Sequence, residues 1–263
     1  MELKIPDGLR IDPERLAHHL ERFIKKELER TGFTRLVLGI SGGIDSTVVA
    51  YLSAAAIGPA NVTGVVLPYA HSNPENIKDA EMVISRLGLN RRTVDITPMV
   101  EAYFKDHPTD DRTRRGNKMA RERMSVLYDI SAELGALVIG TSNKSEILMG
   151  YGTLFGDLAC ALNPLGNLYK TQLRQLAEYL GVPPRILGKA PSADLWAGQT
   201  DEGELGLTYE KLDTLLYHMI DRRLDNRKLE KLGFGHDLID HVRDKIARNE
   251  FKGHQPRIAE LPG

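Results

Sequence analysis

The fold of this chain is decided by one glycine-rich stretch, Gly39-Ile40-Ser41-Gly42-Gly43-Ile44-Asp45-Ser46. An apolar segment, Leu36-Val37-Leu38, precedes it, and residues 45–57, rich in Val and Ala, are predicted to form a helix after it. Glycines let backbone N–H groups approach an anion, and the positive end of the helix dipole favours negative charge at the same place. The stretch therefore predicts a phosphate-binding loop between a strand and a helix, with hydroxyl donors from Ser41 and Ser46.

Asp45 is the unusual member of this loop. A carboxylate beside a polyphosphate is repulsive unless a cation lies between them, and Mg²⁺ prefers oxygen ligands of this kind. The pattern is neither a G-x-x-x-x-G-K-[ST] loop nor G-x-G-x-x-G. The alternative interpretation is an ordinary tight turn with a Ser or Asp helix cap. We predict a magnesium and polyphosphate site at this turn.

The composition excludes several classes of protein. Lys and Arg number 35 against 36 Asp and Glu, so no global basic field is present to recruit nucleic acid. A single cysteine, Cys160, cannot form an internal disulfide and fits a reducing cytosol. No apolar run reaches the length of a signal-peptide core or a membrane span. We expect a cytoplasmic protein with neither a nucleic-acid nor a membrane partner.

Strand and helix patterns alternate along the first half of the chain. Predicted strands cover residues 35–40, 61–68, 92–96 and 136–140, and predicted helices cover residues 12–30, 45–57, 73–87, a short segment from 97, and 117–134. This alternation predicts an α/β fold with a doubly wound, mostly parallel sheet flanked by helices, the first helix packing on the sheet. Further helices are predicted at residues 168–180, 208–220 and 236–249. We expect a single domain over residues 1–263, with mobile loops near 106–116 and 188–206 and a loose tail at 251–263.

Ligands bind such sheets outside the carboxyl ends of the strands, at the point where the strand order reverses. The segments after Ile40, Leu67 and Gly140 should therefore converge on one site. Glu146 is placed there to be a further magnesium ligand, and Thr141 can reach a nucleotide. The alternative for Glu146 is a capped helix start with an acidic residue in its first turn, which needs no metal.

Two more charged residues have informative positions. Asp157 follows the glycine-rich residues 150–156, which can approach a substrate closely. Lys170 stands near a predicted helix start, where the dipole disfavours a cation unless a polyphosphate lies nearby.

Together these segments resemble a known family. The loop resembles the pyrophosphatase loop of the ATP-pyrophosphatase superfamily, and the ordered set of segments is similar to NAD synthetase, which converts deamido-NAD, ATP and ammonia to NAD, AMP and pyrophosphate. Beyond the loop, the matching segments are Gly116-Asn117 with Ala120-Arg121 and Arg123, Gly140-Thr141 with Glu146, Gly150 with Gly156-Asp157, Lys170, residues 191–195, Asp201-Glu202-Glu204-Leu205-Gly206 and Tyr209.

The resemblance implies an adenine nucleotide alpha hydrolase-like, Rossmann-like sheet, a homodimer, and a role for each matched residue. Implied magnesium ligands are Asp45 and Glu146, and implied ATP contacts are Gly39, Ile40, Ser41, Gly42, Gly43, Ile44, Asp45, Ser46, Thr141, Lys170 and Ser192. Implied deamido-NAD contacts are Arg121, Leu154, Asp157, His254 and Gln255. We assign catalytic roles to Asp45, Lys170 and Asp157, with Asp157 taking a proton from incoming ammonium; its alternative role is to order its loop.

Three positions depart from the pattern of short ammonia-using members, namely Leu154, Ala161 and Gln255. Residues 153–159 look more like the synthetase half of glutamine-using members, so a separate glutaminase partner is the alternative nitrogen source. Other functions left open are a further ATP-pyrophosphatase enzyme, such as a GMP synthetase subunit or a tRNA-thiolating enzyme, and a non-catalytic ATP-binding module.

Overall fold

Four parallel strands form the sheet of the computed structural model, which describes residues 6–192, 196, 200–254, 258–259 and 261. The strands are β1 (Leu36–Gly39), β2 (Val62–Val66), β3 (Asn90–Thr93) and β4 (Leu137–Val138). Their order across the sheet is β3-β2-β1-β4, with every neighbouring pair parallel. The predicted α/β fold with a parallel, doubly wound sheet is confirmed.

Helices occupy most of the remaining described chain. They are α1 (Pro13–Thr31), α2 (Ile44–Ile57), α3 (Pro74–Leu87), α4 (Thr97–Asp106), α5 (Arg112–Leu134), α6 (Lys144–Met149), α7 (Lys170–Tyr179), α8 (Pro184–Leu187), α9 (Asp201–Leu205), α10 (Tyr209–Leu216), α11 (Asn226–Lys231) and α12 (His236–Asn249). Within the described residues, no helix is both long and apolar enough to cross a membrane.

The two faces of the sheet are covered by different helices because side chains alternate along β1. Leu36 and Leu38 belong to a core shared with α1, α2, α3 and α7, whereas Val37 belongs to a core with α4 and α5. A third core is formed mainly by α10 to α12. The prediction for α1 needs a correction, since its main contacts are with α2 and α7 rather than with the sheet.

Several predicted boundaries were wrong. β3 lies at Asn90–Thr93 and not at the predicted 92–96. The prediction missed its start because all four residues are exposed and carry no apolar pattern. Helix α5 begins five residues before the predicted residue 117, since Asp111 caps it by accepting a hydrogen bond from the Arg114 N–H. Helices too short to show a 3.6-residue period also escaped prediction, namely α8, α9 and α11, which have four, five and six residues. The predicted mobility of the loops and of the tail stays a prediction.

Candidate active site

A cleft of about 550 Å³ opens at the carboxyl ends of β1, β2 and β4. The strand order reverses between β1, from which the chain proceeds to β2 and β3, and β4 on its other side. In doubly wound sheets this reversal is where ligands bind. The cleft is lined by Ile40, Leu67 and Gly140, so the predicted convergence of the three segments is confirmed.

The glycine-rich stretch forms one wall of this cleft. Its lining residues are Gly39, Ile40, Ser41, Gly43, Ile44, Asp45 and Ser46. Helix α2 starts directly after Gly43, and no side chain caps it, so the alternative of a Ser or Asp cap is wrong. Because the first amides of a helix lack intrahelical acceptors, the loop offers N–H groups and a positive dipole end to an anion.

A buried lysine joins two carboxylates at the end of the loop. The Lys170 Nζ lies 2.5 Å from Asp45 Oδ2 and 3.4 Å from Glu146 Oε1. Lys170 is only 1% exposed, while the carboxylate side chains are 19% and 14% exposed toward the cleft. Three residues from distant parts of the chain thus form one charged cluster, which we call the Lys170 cluster.

The cluster controls the charges of its members. Burial lowers the pKa of Lys170, but the carboxylates of Asp45 and Glu146 outweigh that effect and raise the pKa above its usual value. Burial, and next the Asp45 carboxylate, raise the pKa of the Glu146 carboxyl well above its usual range. Two carboxylates that face the same ammonium repel each other, so they stay ionised together only beside cations, and Lys170 supplies one.

Glu146 performs two tasks at once. Its Oε2 accepts a hydrogen bond from the Asn143 N–H at 3.1 Å, and the Asn143 side chain accepts one from the Glu146 N–H at 3.0 Å. This reciprocal capping box starts α6, as the metal-free alternative predicted. The other oxygen, Oε1, faces Lys170, and Asn143 Nδ2 donates to Asp45 Oδ1 at 2.9 Å. The cap therefore holds Glu146 and Asp45 in place, and the other oxygen of each carboxylate faces Lys170.

The backbone at Lys170 is fixed by a buried carboxylate. Asp213, which is fully buried, accepts hydrogen bonds from Ser145 Oγ at 2.6 Å and from the Thr171 N–H at 2.8 Å. The Ser145 hydroxyl in turn accepts the Lys170 N–H at 3.1 Å. Burial raises the pKa of Asp213 to about 6, although the Ser145 hydroxyl and the Thr171 N–H oppose the shift. This network ties the starts of α6 and α7 to α10.

The other predicted site residues divide into two groups. Thr141, Asp157 and Ser192 line the cleft together with the Lys170 cluster. Gly42, Arg121, Leu154 and His254 are not among the lining residues. Arg121 Nε instead donates to the Leu154 carbonyl oxygen at 3.2 Å, and His254 is exposed, 3.8 Å from Glu250. Gln255 lies outside the described residues.

Two lysines of the cleft, Lys252 and Lys189, were not singled out from the sequence. Lys252 Nζ donates to the carbonyl oxygens of Gly150 and Gly152, at 2.8 and 3.2 Å, and lines the cleft. Lys189 and Asp201 also line it. Asp201 is buried and accepts a hydrogen bond from the Tyr209 hydroxyl at 3.2 Å. The sequence around Lys252 and Lys189 is polar and has no periodic pattern that could have indicated them. Asp201 and Tyr209 were named only as positions that match the family.

Comparison with known proteins gives a consistent result. The sequence model described as NAD synthase matches residues 16–256. An NH3-dependent NAD+ synthetase of Trichlorobacter lovleyi is 50% identical over 255 residues, covering 97% of this chain and 93% of that protein. Among solved structures, an NMN synthetase from Francisella tularensis is 32% identical with a TM-score of 0.85, covering 96% of this chain and all of that one. The NH3-dependent NAD synthetase from Campylobacter jejuni, solved with nitrate, is 35% identical with a TM-score of 0.82, covering 95% of this chain and 100% of that one.

Proposed function

Because this chain belongs to the NAD synthase family, we propose that its cleft performs the ATP-dependent amidation of deamido-NAD by ammonia, giving NAD, AMP and pyrophosphate. The chain is therefore a ligase that forms a C–N bond. The observation that carries the assignment is the Lys170 cluster at the end of a phosphate loop, at the point where the strand order reverses. Neither a GMP synthetase subunit nor a non-catalytic module has comparable support.

The lining of the cleft suits ATP. Its apolar residues suit a base, and they include Val65, Val66, Leu67, Met124 and Leu127. The glycine loop and the Lys170 cluster, which also line it, suit a triphosphate. We assign the ATP contacts to the loop, Thr141, Lys170 and Ser192, as the family resemblance implies.

We propose that Asp45 and Glu146 hold magnesium. Both carboxylates line the cleft with 19% and 14% of their side chains exposed, and a carboxylate oxygen bonded to the Lys170 ammonium keeps a further lone pair for a second cation. No group of three or more His, Cys, Asp or Glu side chains suited to a metal occurs in the part of the chain that the structure describes. Mg²⁺ is commonly held by one or two carboxylates together with substrate phosphates, so this pair meets its needs. When bound, the ion neutralises phosphate charge.

The reaction proceeds in two steps. The nicotinate carboxylate attacks the α-phosphorus of ATP, pyrophosphate leaves, and ammonia then displaces AMP from the acyl adenylate while losing a proton. The protein contributes positioning and charge: the loop amides and the Lys170 ammonium attract the pyrophosphate that departs. Asp157 lines the cleft, and burial raises the pKa of its carboxyl above the usual value although the Thr153 N–H donates to it, so its carboxylate is suited to accept the ammonium proton.

Asp157→Asn is expected to separate the two steps. Asp157 Oδ1 accepts a hydrogen bond from the Thr153 N–H at 2.9 Å, which an Asn oxygen can also accept, whereas the amide cannot take a proton. We expect pyrophosphate release about once per site, followed by amidation slowed by about a hundredfold. Raising pH or ammonium should restore the rate. Single-turnover measurement of pyrophosphate and NAD tests this.

A matched control is Thr153→Val, which removes the Thr153 Oγ1 hydrogen bond to Asn117 Oδ1 at 2.8 Å and the hydroxyl's hydrogen bond to Asp157, but keeps the Asp157 carboxylate itself. If Asp157 only ordered its loop, both variants would lose pyrophosphate and NAD together, with poorer deamido-NAD binding. Equal loss of both products in Asp157→Asn contradicts the ammonia role.

The dinucleotide site extends beyond the cleft in this proposal. Arg121 and Leu154 contact each other outside it, next to Phe155, which is 64% exposed. An exposed aromatic beside predicted substrate residues suits a homodimer in which a second copy completes the deamido-NAD site. We place the enzyme in the cytoplasm, with ammonia from solution or from a separate glutaminase partner.

One assay tests the function directly. The protein is mixed with ATP, magnesium and ammonium, and release of AMP and pyrophosphate is measured with deamido-NAD, with nicotinic acid mononucleotide, or with neither. Nicotinic acid mononucleotide is included because the Francisella relative is an NMN synthetase. We expect turnover to require deamido-NAD, and ammonium to exceed glutamine as donor. Preferential use of the mononucleotide would reassign the substrate, and turnover with glutamine equal to that with ammonium would contradict ammonia dependence.

A further inference from the structure

Lys189 reaches the phosphate loop from a part of the chain distant in sequence. Its Nζ donates to the Gly42 carbonyl oxygen at 3.3 Å and to Asn76 Oδ1 at 2.7 Å. It also forms an ion pair with Asp79, a carboxylate with no exposed surface. The reaction described above assigns no role to this lysine.

The contact with Gly42 fixes one particular peptide group. A trans peptide directs its C=O and N–H to opposite sides. The orientation of the peptide between Gly42 and Gly43 therefore depends on the partners of the Gly42 C=O and of the Gly43 N–H. Lys189 binds the carbonyl end, and Ser41 Oγ accepts the Gly43 N–H at 3.2 Å. The orientation of the loop's central peptide is thus set at both ends.

Gly42 also fits closely against helix α3. Its φ is +78°, a conformation that favours glycine, and a Cβ there would lie 2.2 Å from the Asn76 carbonyl oxygen. Because Lys189 binds Asn76 as well as Gly42, it joins the loop to the first turn of α3. A displaced loop would lose both the close fit and this connection.

Asp79 holds the lysine in that position. It is shared by two cations, since Arg185 Nε lies 2.6 Å from Asp79 Oδ1 while Lys189 pairs with Oδ2. A buried carboxylate needs a cation, and breaking such a pair is costly. The two cations differ in exposure and in their second partner. Arg185 is half exposed and bonds Glu75 at 3.0 Å, whereas Lys189 is less exposed and donates to the Gly42 carbonyl of the loop.

We propose that Lys189, held by Asp79, is a positioning residue that fixes the phosphate loop in the orientation that receives the phosphates of ATP. The proposal rests on the proposed function of that loop. An ammonium that binds a loop carbonyl keeps the neighbouring N–H groups directed as the structure has them, so the loop is organised before the nucleotide arrives.

The test is Lys189→Met, with Arg185→Met as the matched control because both remove a cation from Asp79. In Lys189→Met we expect the KM for ATP and the Kd for magnesium pyrophosphate, measured by calorimetry, to rise about tenfold or more. The KM for deamido-NAD should stay within about threefold, because a displaced phosphate loop weakens the binding of ATP and not that of the other substrate. Arg185→Met should leave all three constants within about threefold, since Arg185 bonds Asp79 and Glu75 rather than the loop, and Lys189 remains as a cation for the buried Asp79.

Two outcomes overturn the proposal. One is an equal effect of the two Met variants, which would mean that only the charge balance around Asp79 matters. The other concerns Asp79→Asn: positioning predicts the same rise in the KM for ATP, whereas a lysine that itself binds phosphate would be released toward it, leaving that KM unchanged or lower. If Asp79→Asn does not fold, the two Met variants decide. Failure of the proposed function is distinct, because the unaltered protein would then release no AMP.

Discussion

Asp45→Asn is expected to lower kcat by about a hundredfold or more, the loss typical when one electrostatic contact to a developing charge is removed. Asp45 stands at the start of α2, beside the loop that we assign to the phosphates, and its carboxylate faces Lys170 at 2.5 Å. Asparagine keeps the shape but loses the negative charge, and with it a magnesium ligand. The measurement is kcat for AMP release as a function of magnesium concentration. The magnesium needed for half-maximal rate should rise.

Asp221→Asn is the control for this variant. Asp221 also pairs with a lysine, Lys144, at 2.6 Å, but it is not among the residues that line the cleft. Loss of an ion pair in general would affect both variants alike, whereas a metal role affects only Asp45→Asn. Full activity of Asp45→Asn at the original magnesium concentration would remove the metal assignment.

Local patterns in the sequence were sufficient for the order of the strands and first helices along the chain, although not for the bounds of the exposed strand β3. Apolar strands such as β1 and β2 and capped helices such as α1, with Asp12 as N-cap, carry their signals within a few residues. The order strand, loop, helix then fixes where the carboxyl ends of the strands lie. For that reason Asp45 and Glu146, 101 positions apart in the numbering, could be assigned to one site.

The same reasoning could not find contacts made by polar segments of irregular structure. Lys189 and Lys252 lie in stretches without periodicity. They donate to the backbone carbonyl oxygens of Gly42 and Gly150, and a backbone acceptor cannot be recognised from the residue types in a sequence. His254 was chosen from the tail by resemblance, yet the structure places Lys252, not His254, in the cleft. In each case tertiary contacts decided the outcome, and such contacts follow from packing rather than from local preference.

Lys170→Met is expected to have the second large effect, a fall in kcat of about a thousandfold together with a loss of stability in the absence of metal. Methionine has a similar length but no charge, so Asp45 and Glu146 would face each other in a poorly solvated site without their cation. Removing one partner of a buried pair typically costs about 3–5 kcal/mol of unfolding free energy. The measurements are kcat and the thermal midpoint of unfolding without magnesium.

Magnesium should restore part of that stability, because a cation bound only to the folded state stabilises it by mass action. Its stabilising effect should therefore be greater in Lys170→Met than in the unaltered protein, where the ammonium already neutralises the carboxylates. Lys144→Met is the matched control: Lys144 lies at the start of α6 and pairs with Asp221, away from the cleft, so its variant should gain no extra magnesium response. If magnesium raises the unfolding midpoints of all three proteins equally, Asp45 and Glu146 do not form a cation site whose charge Lys170 balances.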